Sequence, residues 1–107
     1  MTHSRINRVV TVVNPLGIHL RPAGLIANTA NRFAAQVEVV KGGDRFDARS
    51  VLSLLTLGAG QGTQLALQAH GPDAEPALDA LVELFAQGFH ELEAASEQAA
   101  PAAGLDA

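Results

Sequence analysis

The sequence has no cysteine, tryptophan or tyrosine, and only four phenylalanines among its 107 residues. The absence of cysteine excludes disulfide bonds, thiolate ligands for a metal ion and a cysteine nucleophile, and it is typical of proteins from a reducing cytoplasm. Because aromatic side chains are so few, the core has to be built from Val, Leu, Ile and Ala. The length predicts one small domain with a core of its own.

Basic residues are fewer than acidic ones, and the formal net charge is -4. A general nucleic-acid binder needs a basic face, so we expect no nucleic acid among the partners. The longest apolar stretches are too short to cross a bilayer, and the Met-Thr-His-Ser start has no hydrophobic signal region. These features predict a cytoplasmic protein that does not insert into membranes.

The most informative stretch is 14–23, which reads NPLGIHLRPA and separates a run of β-branched residues from an apolar pattern at helical spacing. Proline is favoured in the first turn of a helix, where its fixed φ fits and its missing N–H costs nothing. Pro22 therefore places His19 or Leu20 near the N-cap. His19 is expected where a strand leads into a helix, a usual position for a functional side chain.

The start of this predicted helix has the chemistry of an anion site. Backbone N–H groups, here expected on Ala23 and Gly24, lack helical partners, and the helix dipole adds about half a positive charge. Arg21 contributes a charged fork that matches phosphate geometry. A histidine beside such groups can accept a phosphoryl group and hold the resulting dianion. On these residues alone, a capping or surface histidine remains the alternative.

The remaining sequence predicts the element order β-α-β-β-α-β-α. Strands are expected over 5–13, 36–40, 45–48 and 63–70, and helices over 20–33, 50–57 and between Asp73 and Gly88. This order predicts an α+β open-faced sandwich, in which a small antiparallel sheet carries its helices on one face. Asp73 is expected to cap the last helix.

The short helix over 50–57 begins at Ser50, which is a good N-cap residue. Val51, Leu54 and Leu55 give this helix one apolar side. Leu52 does not belong to that side, so it predicts an exposed apolar spot and a docking surface. Packing of Leu52 beneath a neighbouring loop is the alternative.

After Leu92 the sequence is rich in Ala and loses its apolar periodicity. We therefore interpret 1–92 as the folded domain and 93–107 as a disordered tail. A metal site is not expected, because the histidines show no ligand spacing and cysteine is absent. These histidines are His3, His19, His70 and His90.

The stretches around His19 and Ser50 resemble those of the HPr family, the histidine-containing phosphocarrier proteins of the bacterial sugar phosphotransferase system. The resemblance covers roughly 6–92 and has the elements in the same order. The matching residues are the motif GIHLRPA at 17–23, Arg49-Ser50 at the start of the short helix, Leu57-Gly58 at its end, and Gln-Gly-Thr at 61–63. One departure is Arg49, since lysine is more common before the serine.

The resemblance implies roles for individual residues. His19 is the histidine that enzyme I phosphorylates at Nδ1, with phosphoenolpyruvate as the source, and Arg21 assists the transfer. Ser50 is the regulatory serine, a target for a serine kinase/phosphorylase. The resemblance also implies a patch that meets enzyme I and enzyme IIA, formed by Leu20, Arg21, Val51, Leu52 and Leu55. The protein would then be a monomeric phosphoryl carrier without a cofactor, and not a stand-alone enzyme.

Other functions stay open at this point. The segment 84–89, LFAQGF, is similar to the nitrogen-related branch of the family, which keeps the histidine chemistry but feeds a regulatory relay. A regulatory binding module of the same fold that carries no phosphate is a second alternative, which the presence of His19 disfavours. A histidine phosphatase would need an Arg-His-Gly order on a larger domain.

Overall fold

Four strands and three α-helices follow one another in the predicted order over residues 5–91, the part of the chain that this computed structural model describes. The elements are β1 (Ile6–Thr11), α1 (Leu20–Ala30), β2 (Gln36–Lys41), β3 (Asp44–Asp47), α2 (Val51–Leu55), β4 (Gln64–His70) and α3 (Ala74–Ala86), followed by a 3-10 turn at Gly88–His90. The α+β class is confirmed. The tail proposed for 93–107 lies outside the described residues.

The strands form a single sheet in the order β1-β4-β2-β3, with antiparallel pairing throughout. Alternation along β4 turns Leu65 and Leu67 towards the helices and Gln64 and Gln68 towards the open face, because successive side chains point to opposite faces of a strand. The helices cover one face only, which confirms the open-faced sandwich.

The core consists almost entirely of aliphatic side chains and alanines between the sheet and the helices. Its largest fully buried members are Phe85, Phe89, Ile26, Leu54, Leu65, Leu67, Leu78 and Leu81. On the other side of the sheet Val9 is 70% exposed. Within residues 5–91 no helix combines the length and apolar character that crossing a membrane requires.

The loop between β1 and α1 is held against the loop after α2 by Gly17. The φ of Gly17 is +69°, and a Cβ at this position would lie 2.5 Å from the carbonyl oxygen of Ala59. The next N–H, of Ile18, donates to that same oxygen at 2.9 Å. Only glycine can combine the left-handed conformation with so close a backbone contact. The glycine-rich loop after α2 therefore supports the residues that lead into His19.

Asp73 is the N-cap residue of α3, as predicted, but the expectation that its side chain caps the helix is wrong. Its side chain makes no capping hydrogen bond to α3, and its carboxylate instead accepts the N–H groups of Ala34 at 2.9 Å and Ala35 at 2.7 Å. The bond from Ala34 is the main cause that lowers the pKa of Asp73, and Ala35 and the nearby Arg49 act in the same direction. Asp73 therefore joins the loop before β2 to the loop before α3.

Candidate functional site

His19 is the N-cap residue of α1, as the sequence predicts, with φ -92° and ψ -166°. Its carbonyl accepts the N–H of Ala23 at 3.0 Å, so the expectation that this N–H lacks a helical partner is wrong. The N–H of Gly24 lies one residue further in, where the helical pattern pairs it with the carbonyl of Leu20. The first-turn N–H groups beyond the reach of helical carbonyls belong to Leu20 and Arg21.

A carboxylate that no sequence pattern indicated faces the imidazole of His19. Oε2 of Glu91 lies 2.6 Å from Nε2 of His19 and 3.4 Å from Nη1 of Arg21. The Glu91 side chain is only 12% exposed, whereas that of His19 is 37% exposed. Because an ionised carboxylate can only accept hydrogen bonds, this contact assigns the ring proton to Nε2. In the neutral ring the lone pair is then on Nδ1.

Asn14 holds this carboxylate from the other side. Its Nδ2 donates to Oε1 of Glu91 at 2.9 Å and to the carbonyl of Gly17 at 2.8 Å. The residue is fully buried, and its Oδ1 has no hydrogen-bond partner among the described residues. Both oxygens of the Glu91 carboxylate are thus engaged, one by Asn14 and one by the His19–Arg21 pair.

Arg21 follows His19 by two residues, and its guanidinium group is held by a hydrogen bond. Its Nη1 donates to the carbonyl of Phe89 at 2.7 Å, while half of the side chain remains exposed. The guanidinium therefore stands beside the imidazole with an open side towards solvent. A fixed and partly exposed guanidinium of this kind can bind a phosphoryl group next to the ring.

The turn that brings Glu91 to the site has an unusual backbone. Gly88, Phe89 and His90 have φ values of +59°, +56° and +63°. For Phe89 and His90 this left-handed conformation is unfavourable, and tertiary contacts have to compensate for it. The Phe89 ring is fully buried and stands edge-on to Phe85, with centroids 4.8 Å apart. The buried ring fixes the turn, and the turn presents the next residue to His19.

Ser50 is the N-cap of α2, as predicted, and its Oγ accepts the N–H of Ser53 at 3.1 Å. The preceding Arg49 does not extend freely into solvent. Its Nη2 donates to the carbonyls of Phe33 at 2.6 Å and Ala35 at 2.9 Å. Arg49 thus ties the start of α2 to the loop after α1.

Exposed apolar side chains lie in helices α1 and α2 and in the loop before α1. Leu52 is 78% exposed, as predicted, Leu20 and Leu55 are also exposed, and Val51 is half-buried. Leu16, which the sequence interpretation did not include, is 74% exposed in the loop before α1. We call Leu16, Leu20, Leu52 and Leu55 the apolar patch. Helices α1 and α2, which carry Leu20, Leu52 and Leu55, pack against each other.

The histidines are placed in different parts of the fold. His70 ends β4, His90 lies in the turn after α3, and His3 is outside the described residues. Among residues 5–91 no group of three or more His, Asp or Glu side chains could hold a metal ion.

Sequence patterns gave no signal for the role of Glu91. Gly88 was recognisable only as the end of α3, and the approach of Glu91 to His19 depends on the left-handed turn at Phe89 and His90. Asn14 lies inside the informative stretch, but its Asn-Pro pair indicates only a turn. Its burial and its bond to Glu91 arise from packing.

Comparison with known proteins identifies the family to which the sequence and the fold are similar. A family model described as the phosphorylation site of the PTS HPr component, where PTS denotes the phosphotransferase system, matches residues 6–87. Phosphocarrier protein HPr of Cupriavidus necator is 36% identical over 86 residues, which cover 80% of this chain and 97% of that protein. Phosphocarrier protein NPr of Shewanella violacea is 40% identical over 88 residues, which cover 82% of this chain and 97% of the relative. The crystal structure of HPr from Thermoanaerobacter tengcongensis superposes with a TM-score of 0.77 at 35% identity, covering 79% of this chain and 96% of the other.

Proposed function

This chain belongs to the HPr family of phosphocarrier proteins of the phosphotransferase system, and we propose that it accepts a phosphoryl group from phosphorylated enzyme I on His19 and passes it to an enzyme IIA. The observation that carries the proposal is the arrangement at the start of α1. There Nε2 of His19 faces Glu91, which leaves Nδ1 as the nucleophile, and Arg21 stands alongside.

Acceptance of the phosphoryl group by this chain needs only His19, Glu91 and Arg21. The lone pair of Nδ1 attacks the phosphorus, the bond between phosphorus and enzyme I breaks, and its electron pair returns to enzyme I. The Nε2 proton stays on the ring. The dianionic phosphoryl group then lies at a helix start, next to a guanidinium, where its charge is favoured. Transfer onwards reverses these steps with an acceptor on enzyme IIA.

Docking is proposed to use the apolar patch together with Arg21 and Val51. Exposed leucines around a reactive side chain are typical of a surface that is covered by a partner during reaction. Family membership supports partners from the phosphotransferase system in general. We propose that a single copy of the chain docks to enzyme I and to enzyme IIA, in the cytoplasm. Phosphorylation of Ser50, at the edge of this surface, is the proposed regulatory modification.

A second candidate is a carrier of the nitrogen-related branch, which uses the same histidine chemistry in a regulatory relay. The observation that favours it is the similarity of the segment 84–89 to that branch. Overall identity does not separate the two branches, because the NPr of Shewanella violacea and the HPr of Pseudomonas putida are each 40% identical to this chain. The site geometry serves either branch equally well, because both require a phosphorylated histidine. The partner therefore distinguishes the two functions.

The test is a reconstituted relay with phosphoenolpyruvate and enzyme I of either the sugar or the nitrogen-related type. We expect the wild-type protein to take up one phosphoryl group per chain, and His19→Ala to take up none. Discharge to a sugar-type enzyme IIA supports the first proposal, and discharge only to a nitrogen-type enzyme IIA supports the second. No uptake from either active enzyme I contradicts both, and favours a binding module that carries no phosphate.

A further inference from the structure

Glu91 makes the shortest hydrogen bond at the site, and it contacts the ring nitrogen that does not react. We propose that Glu91 is a positioning residue for phosphoryl transfer, which holds the Nε2 proton of His19 so that Nδ1 is the nitrogen that attacks; this inference rests on the proposed carrier function. The 2.6 Å separation of Oε2 and Nε2 is short for an N–H···O bond, and bonds to charged groups are the shorter and stronger ones.

The contact acts on the ring in two ways. A neutral imidazole can place its proton on either nitrogen, and only the form with the proton on Nε2 leaves a lone pair on Nδ1. Glu91 favours that form because it offers an acceptor to Nε2. When Nδ1 then forms its bond to phosphorus, the ring becomes positively charged while it retains the Nε2 proton. The adjacent carboxylate stabilises this charge, as a carboxylate does behind the histidine of a catalytic triad.

The carboxylate is itself held in place, which a positioning role requires. Asn14 is fully buried and binds Oε1 of Glu91, and the fixed turn at Phe89 precedes Glu91 in the chain. The Glu91 carboxylate is largely shielded from solvent, so its interaction with the ring is stronger than that of an exposed ion pair. Arg21 binds the same Oε2 at the longer distance of 3.4 Å and so adds a second contact that holds the carboxylate in place.

Glu91→Gln is the sharpest variant because it keeps the shape of the side chain. Glutamine has one acceptor oxygen, whereas Glu91 uses two, so the amide cannot serve Asn14 and the ring at once. The matched control is Glu83→Gln, since Glu83 is exposed on α3, where it accepts a bond from Gln87. Both variants change the net charge equally.

Three measurements are made on the wild type and both variants. The nitrogen chemical shifts of the His19 ring, recorded by NMR where the ring is neutral, report which nitrogen carries the proton. Rapid-quench kinetics with phosphorylated enzyme I give the rate constant at saturation and the half-saturating concentration. Thermal melting reports the fold.

For Glu91→Gln we expect a measurable fraction of rings with the proton on Nδ1, and a rate constant at saturation that falls roughly tenfold. The half-saturating concentration of phosphorylated enzyme I should stay unchanged. Glu83→Gln should behave like the wild type in all three measurements. The inference is overturned if Glu91→Gln leaves the proton position or the rate constant at saturation unchanged. It is also overturned if the variant changes only the half-saturating concentration of enzyme I. If the wild type takes up no phosphoryl group, the proposed function fails, and the NMR comparison still shows whether Glu91 holds the proton.

Discussion

Nη1 of Arg21 donates a 2.7 Å hydrogen bond to the carbonyl of Phe89, 68 residues further along the chain. Phe89 has a left-handed backbone and a fully buried ring, so its carbonyl is a fixed point on the surface. Arg21 is therefore oriented by the core through Phe89, although half of its side chain is exposed. This connection explains how a surface arginine can keep a defined position beside His19.

Replacing Arg21 with lysine should slow transfer more than it weakens the fold. Lysine keeps the charge but loses the planar fork, so it cannot hold the Phe89 carbonyl and bind two phosphoryl oxygens side by side. We expect the transfer rate constant to fall roughly tenfold, with a stability change of about 1 kcal/mol or less. The control is Arg32→Lys in the exposed turn after α1. Equal rates for both variants in rapid-quench assays would exclude Arg21 from the mechanism.

The apolar patch is tested by placing a charge on it. Leu52→Glu should raise the half-saturating concentration of enzyme I roughly tenfold, because docking would bury an unpaired carboxylate. The rate constant at saturation and the melting temperature should change little, since Leu52 is 78% exposed. Val9→Glu is the matched control, as Val9 is exposed to a similar extent, 70%, on the open face of the sheet. If both variants have the same half-saturation, the patch is not the docking surface.

Ser50 allows the capping role to be separated from the regulatory one. Ser50→Ala removes the bond to the Ser53 N–H and should cost about 1 kcal/mol of stability. Ser50→Asp retains an N-cap acceptor, so its melting should stay near that of the wild type, while its charge beside Leu52 raises half-saturation for enzyme I. Unfolding of Ser50→Asp, or unchanged transfer at low enzyme I, would leave Ser50 with a capping role alone.

Asp73 should give the stability of the protein a dependence on acid pH. Its pKa is lowered in the folded state, chiefly by the N–H of Ala34, so the ionised form is favoured by folding. The stabilisation is complete above the unfolded pKa of about 3.9 and is lost as pH falls through the lower folded value.

The check is to measure the free energy of unfolding in urea at several pH values for the wild type and for Asp73→Asn. Asp44→Asn, in the exposed hairpin, is the control. As the pH falls, Asp73→Asn should lose less free energy of unfolding than the wild type does. Asp44→Asn should lose as much as the wild type. Parallel curves for the wild type and Asp73→Asn would show that the carboxylate does not contribute as described.

The sequence predicted the elements whose signals are local. Alternation from Gln64 to His70 needs only a period of two and one covered face, and His19 and Ser50 are recognisable as helix starts from their neighbours. Contacts between distant residues could not be predicted in this way. The Glu91–His19 pair is separated by 72 residues, and the side chain of Asp73 binds the N–H groups of another loop instead of those of α3. Such contacts depend on how the elements pack, which periodicity does not specify.

The central claim, that His19 is the residue that carries the phosphoryl group, is tested most directly by locating the modification. The protein is phosphorylated with phosphoenolpyruvate and active enzyme I, digested under alkaline conditions that preserve phosphohistidine, and analysed by mass spectrometry for the peptides that contain His19, His70 and His90. We predict one phosphoryl group, on His19 alone, which acid removes. Phosphate on His70 or His90 with His19 unmodified would contradict the account.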